Sequence, residues 1–167
     1  MTGWLGDAAV GLVALQSGAN GEAVDSCIER YLRPDPRVRA GLLLGRNRAA
    51  TSCMDLSDGL ADAARQVAAA SGVGITLDAA ALPIGHEARR WHERTGGDAV
   101  ATALSGGDDY ELLFTVRQSH RGRFRGAMKQ MGSLPVTRIG VVTKPPELLL
   151  RDEHGTRPLP EGYEHFR

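Results

Sequence analysis

Two short acidic segments concentrate the residue types that could hold a metal ion or a phosphorylated ligand. In Met54-Asp55-Leu56-Ser57-Asp58-Gly59-Leu60, two carboxylates and a hydroxyl come immediately before a glycine. Magnesium takes hard oxygen ligands, usually only one or two carboxylates, and completes its octahedron with water and phosphate oxygens. Asp55 and Asp58 suit that role. A helix opening here would add free N–H groups and a positive dipole end, both of which favour bound phosphate, and Ser57 could donate one hydrogen bond to it. The same residues could instead cap the helix, which from spacing alone is the commoner use of Ser or Asp at such a point. The second segment, Ser105-Gly106-Gly107-Asp108-Asp109-Tyr110-Glu111, sets three acids around a Gly-Gly turn. Its glycines let a ligand approach the backbone, and Asp108 or Asp109 could hold a cationic or hydroxyl-bearing group. The plainer alternative is an acidic, solvated turn.

Other chemistries find little support. His86, His92, His120, His154 and His165 lack the spacing of a metal cluster and read as surface residues or as partners in local hydrogen bonds. Cys27 and Cys53 form no CxxC pair and are expected to be reduced, buried thiols. Ser105-Gly106-Gly107 lacks the G-x-S-x-G order of a nucleophile elbow. No G-x-x-x-x-G-K-[ST] run is present, so any use of ATP proceeds without a Walker loop. The five Lys and Arg residues from Arg117 to Lys129 have no aromatic ladder among them and are expected to form a solvated helix face.

The elements that must carry the two segments are visible in the apolar periodicity. Leu5 to Leu15 recurs at helical spacing until Gly18, Ala23 to Leu32 reads as a second helix halted by Arg33-Pro34-Asp35-Pro36, and Val38 to Asn47 as a third. Ala49 to Leu56 reads as a strand running into Ser57-Asp58-Gly59. Leu60, Ala63, Ala64, Val67 and Ala68 then line one face of a helix that ends near Gly72. Val73 to Leu77 alternates as a strand, Gly85 to Arg94 and Ala99 to Leu104 read as helical, and Tyr110 to Val116 as a buried strand. Ser119 is expected to cap a helix to Met131, with strands at Val136 to Val142 and Leu148 to Arg151. Strands and helices intersperse irregularly, which predicts an α+β fold with a mixed sheet packed by helices.

At 167 residues the chain suits one domain with a substantial core. Twenty basic residues balance twenty acidic ones, which argues against nucleic acid as a partner, although a local basic patch stays compatible with that balance. No apolar run reaches the roughly 18 residues that span a bilayer, and the start lacks the order of a signal peptide. No membrane partner and a cytoplasmic location are therefore expected.

Taken together, Thr2-Gly3-Trp4-Leu5-Gly6-Asp7-Ala8-Ala9, Asp55-Leu56-Ser57-Asp58-Gly59-Leu60 and Gly106-Gly107-Asp108-Asp109-Tyr110-Glu111-Leu112 form an ordered set. Followed by Thr137-Arg138-Ile139-Gly140 and Gly162-Tyr163-Glu164-His165-Phe166, the set resembles the thiamine-monophosphate kinase family, within the superfamily of aminoimidazole ribonucleotide synthetase. The resemblance spans almost the whole chain. It implies the carboxy-terminal α+β domain over residues 1–167, with the family's amino-terminal metal- and ATP-binding domain absent from the sequence. It also implies ATP- and magnesium-dependent conversion of thiamine monophosphate to thiamine diphosphate, weak or lost in this part alone. Asp55 and Asp58 would ligate Mg2+, Ser57 would contact ATP, and Asp108 and Tyr163 would contact the thiamine phosphate. Where Asp108 stands the family usually carries Glu, one methylene longer. A separately encoded amino-terminal domain and a homodimer are possible partners. The alternatives are a non-catalytic ligand-binding or partner-docking module, or another ATP-using member of the superfamily.

Overall fold

The computed structural model describes residues 1–161, without the side chains of residues 22 and 23. Three helices come first: α1 (Asp7–Ser17), α2 (Glu22–Leu32) and α3 (Val38–Arg46). Then follow β1 (Ser52–Asp55), α4 (Leu60–Ser71), β2 (Gly74–Asp78), α5 (His86–Thr95), α6 (Ala99–Ser105), β3 (Leu112–Thr115), α7 (Arg121–Met131), β4 (Gly140–Thr143), β5 (Leu148–Asp152) and β6 (Gly155–Pro158). The breaks fall where backbone chemistry requires them: Gly18 and Gly72 close α1 and α4 in the left-handed conformation, and Pro34 lies just beyond α2.

Four strands form a mixed sheet in the order β4-β2-β5-β6, with β2 and β5 parallel and the outer pairs antiparallel. Ile75 and Leu77 of β2 are buried in the main core together with Leu60, Ala61, Ala64, Val67 and Ala68 of α4. The alanines keep the helix slim on that face, so it can lie close to its neighbours. A second, two-stranded sheet pairs β1 with β3 antiparallel, Asp55 opposite Leu112. It belongs to a smaller core in which Ala40 and Leu44 of α3 meet Ala127 and Met131 of α7, and Phe114 packs on Phe124 with ring centroids 5.8 Å apart.

Charge is divided along the same line as the cores. Residues 36–54 and 112–131, which build the smaller core, carry nine of the twenty Lys and Arg and none of the twenty Asp and Glu. Arg39 of α3 donates to the Gln130 carbonyl of α7, 3.1 Å away. Neutrality of the whole therefore conceals a basic lobe. Val38 and Leu42 also lie exposed on α3. No helix among the described residues is long and apolar enough to cross a membrane.

The mixed α+β architecture agrees with expectation, and five details differ. The strand expected to be buried over Tyr110 to Val116 shortens to β3, in which Leu113 alone is buried. The strand expected at Val136 to Val142 shrinks to β4, because Val136 and Thr137 pair with the Met1–Thr2 segment through a single bridge and a Thr137 N–H···O=C Met1 bond of 2.9 Å. Strand β6 was not anticipated: it is polar and exposed throughout, ends in proline, and is held by pairing with β5. Cys53 is exposed at the surface of β1, unlike the buried Cys27. Helix α7 begins after His120 without a side-chain cap, Ser119 lying in a short 3-10 turn ahead of it.

Candidate active site at two stitched loops

Strand β1 delivers Asp55 exposed at its end, buries Leu56, and passes Ser57 and Asp58, both half-buried, into Gly59. Gly59 has φ 93° and is itself the N-cap of α4, so the capping position offers no side chain. The reason for glycine there is double. Its φ is unfavourable to other residues, and a Cβ would lie 2.9 Å from the Gly106 carbonyl oxygen and 3.1 Å from that of Leu104. The second acidic segment thus lies directly against the first. A Cβ on Gly107 would in turn overlap the Ser57 carbonyl oxygen. Three main-chain bonds close the junction: Asp108 N–H to Ser57 O at 2.8 Å, Tyr110 N–H to Leu56 O at 3.0 Å, and Leu56 N–H to Glu111 O at 2.9 Å. Asp55, Ser57, Asp58 and Asp108, named from two segments some fifty residues apart, belong to one neighbourhood.

The three acids of the second segment do different work. Glu111 is fully buried and accepts from Thr2 Oγ1 at 2.7 Å, Arg37 Nε at 2.7 Å, Arg37 Nη2 at 2.6 Å and Arg30 Nη2 at 3.2 Å. The fork of Arg37 grips both carboxylate oxygens, which raises the guanidinium pKa further. A Cβ on Gly3 would collide with that carboxylate, and Gly3 itself has φ 56°. Asp109 is 8% exposed and accepts the Gly6 N–H at 3.2 and 3.1 Å, at the start of α1. Burial pushes its pKa up to about 7, opposed by the Gly6 and Ala8 N–H groups and reinforced by the carboxylates of Asp7 and Glu111. Asp108 alone of the three is neither buried nor committed to the scaffold; it sits half-exposed with φ 65°.

The amino-terminal Gly6-Asp7 pair is likewise scaffold. Asp7 accepts the Ala88 N–H in the first turn of α5 at 3.2 Å, and its carboxyl fills the space where Gly85 has no side chain. Burial chiefly, then Asp7, pushes the Cys27 thiol up to about 12, leaving it inert at neutral pH. Sequence reasoning missed Thr2, Arg30 and Arg37 as partners of Glu111. Among the described residues, no three of His, Cys, Asp and Glu come together in a way that could hold a metal ion. Tyr163 lies outside the described residues.

The sequence matches the family model of the AIR synthase related protein, C-terminal domain, over residues 4–152. Thiamine-monophosphate kinase of Escherichia coli (strain K12) is 39% identical over 171 residues, which take in 99% of this chain and 51% of the relative. The crystal structure of thiamine-monophosphate kinase from Stenotrophomonas maltophilia K279a is similar with a TM-score of 0.78 at 38% identity, over 89% of this chain and 48% of that one. AaThiL complexed with AMPPCP and TMP is similar with a TM-score of 0.81 at 31% identity, over 99% of this chain and 50% of that one. The chain spans about half the length of the curated relatives it matches.

Proposed function

The chain belongs to the AIR synthase related protein, C-terminal domain family, and from that premise we propose that it is the carboxy-terminal part of a thiamine-monophosphate kinase. The activity assigned is ATP- and Mg2+-dependent phosphorylation of thiamine monophosphate to thiamine diphosphate. The observation that carries it is the stitched junction, which brings a hydroxyl and two carboxylates of one turn against a loop whose single uncommitted acid is Asp108. The relative complexed with AMPPCP and TMP supports a triphosphate donor and a phosphate-bearing acceptor.

Asp55 and Asp58 fit magnesium by chemistry: both are hard oxygen donors, one exposed and one half-buried, and the neighbouring Cys53 thiol has its pKa raised by partial desolvation and by Asp55, which disfavours the thiolate. Two carboxylates and no larger cage suit an ion that keeps much of its shell for water and phosphate. Bound there, Mg2+ would supply charge neutralisation for the phosphates. Ser57 offers its hydroxyl to the nucleotide, and the positive dipole end of α4 favours the same anion. Asp108, with Tyr163, orients the thiamine phosphate. An oxygen of the acceptor phosphate then attacks the γ-phosphorus in line as ADP leaves. A phosphate monoester has a second pKa of about 6, so this oxygen is largely ionised at neutral pH and needs no histidine base. Positioning supplies most of the rate.

The remainder of the metal- and ATP-binding apparatus is assigned to an amino-terminal domain outside these 167 residues, in a cytoplasmic enzyme. The exposed Val38 and Leu42 are apolar surface that a further domain can cover. The test is formation of thiamine diphosphate by this chain alone and mixed with a matching amino-terminal domain, with Asp58→Ala as control. Product in the mixture only, lost in the variant, supports a shared active site. No product from folded, associated pieces moves the assignment to a ligand-binding module without turnover.

A further inference from the structure

Between Asp108, assigned above to the acceptor, and the fully buried Glu111, the chain takes an uncommon path. Among the described residues only three non-glycines have positive φ, and two of them, Asp108 at 65° and Tyr110 at 50°, flank Asp109. A bulky Tyr with positive φ persists only where its surroundings over-determine it. The surroundings here are specific. Asp109 is held by the Gly6 N–H at the start of α1, and Glu111 by Thr2, Arg30 and Arg37. The backbone N–H groups of Asp108 and Tyr110 turn the other way, to Ser57 O and Leu56 O. Side chains 109 and 111 thus anchor inward, and the residue left to reach a ligand is the one immediately before the first anchor.

We propose that Asp109 is a positioning residue: its carboxyl group, clasped to the amino-terminal end of α1, fixes the left-handed turn that sets Asp108 against the Asp55–Gly59 turn. Asp109 itself touches no ligand. Its placement also ties the acceptor side of the site to α1, a helix that contributes none of the proposed ligand contacts. This rests on the assignment of Asp108 to thiamine monophosphate, so the test has one arm that needs no ligand.

The first arm is amide hydrogen exchange by NMR on this chain. In Asp109→Asn, a near-isosteric change expected to fold, the amides of Asp108 and Tyr110 exchange roughly ten-fold faster or more, while those of β2 keep their protection. The second arm is thiamine monophosphate affinity, measured with the matching amino-terminal domain present. Asp109→Asn weakens it to about the extent that Asp108→Ala does, and the double variant is no weaker than Asp108→Ala alone, because residue 109 acts through residue 108. Unchanged exchange at Asp108 and Tyr110 would overturn the proposal, as would losses of affinity that simply add. If the unsubstituted protein ignores thiamine monophosphate while the exchange result holds, the substrate assignment falls and the clasp stands.

Discussion

Asp109 is a buried acid whose surroundings favour the proton, and the sign of its effect on stability follows. The folded chain keeps that proton to about pH 7, whereas the unfolded chain releases it near the ordinary value of 3.8. Across that interval the native state binds more protons, so the contribution is full below about pH 4 and is lost as the pH rises toward 7. Urea denaturation at pH 5 and pH 8 will therefore give a larger fall in unfolding free energy for the unsubstituted chain than for Asp109→Asn, by about 1 to 3 kcal/mol. Glu111 makes the opposite case, a buried acid matched to cations. Glu111→Ala leaves Arg37 without its fork and Thr2 without its acceptor, at a cost of about 3–5 kcal/mol in the same experiment. Asp55, Ser57, Asp58 and Asp108 could be named from the sequence because short local patterns carried them. Arg30 and Arg37 could not, since they reach Glu111 across 81 and 74 residues and nothing beside them in sequence announces a buried carboxylate.

At the scale of elements, the junction between the turn before α4 and the loop before β3 depends on absent side chains. Gly107→Ala would drive a Cβ into the Ser57 carbonyl, and both partners are backbone, so neither can swing aside. The expected result is a folded chain in which the two loops have parted, with thiamine monophosphate affinity reduced by roughly ten-fold or more and little change in helix content by circular dichroism. Gly122→Ala, in an open part of α7 where a Cβ meets nothing within 4 Å, serves as the control and should change neither. The helices were legible because their stops are chemical: glycines at 18 and 72 and the prolines after α2. Strand β6 was not, since it satisfies its backbone without burying an apolar face. Nor could periodicity reveal that β1 and β3 leave the main sheet to form a pair of their own. Alternation identifies a strand and not its partner.

Over the whole molecule, composition was a poor guide to electrostatics. A count that sums to zero hides a stretch of chain around α3 and α7, residues 36–54 and 112–131, with nine cations and no acid, of which, among the described residues, Arg37 alone is matched by Glu111 and Asp35 from outside it. The chain should therefore be retained near pH 7 on both cation and anion exchangers and be released from each by moderate salt. Replacing Arg121, Arg125 and Lys129 with Glu should abolish retention on the cation exchanger. Strand β1 belongs to that basic lobe and ends at Asp55, so the proposed metal carboxylates stand on its border. Opposite charges held apart across a rigid body form a permanent electric dipole moment, and the field of an approaching ion exerts a torque that turns the dipole to meet it. If the proposed function holds, an anionic nucleotide approaching in dilute solution is drawn toward the basic lobe, whose edge carries that border. The ionic-strength dependence of ligand capture will accordingly appear in the association rate much more than in the dissociation rate.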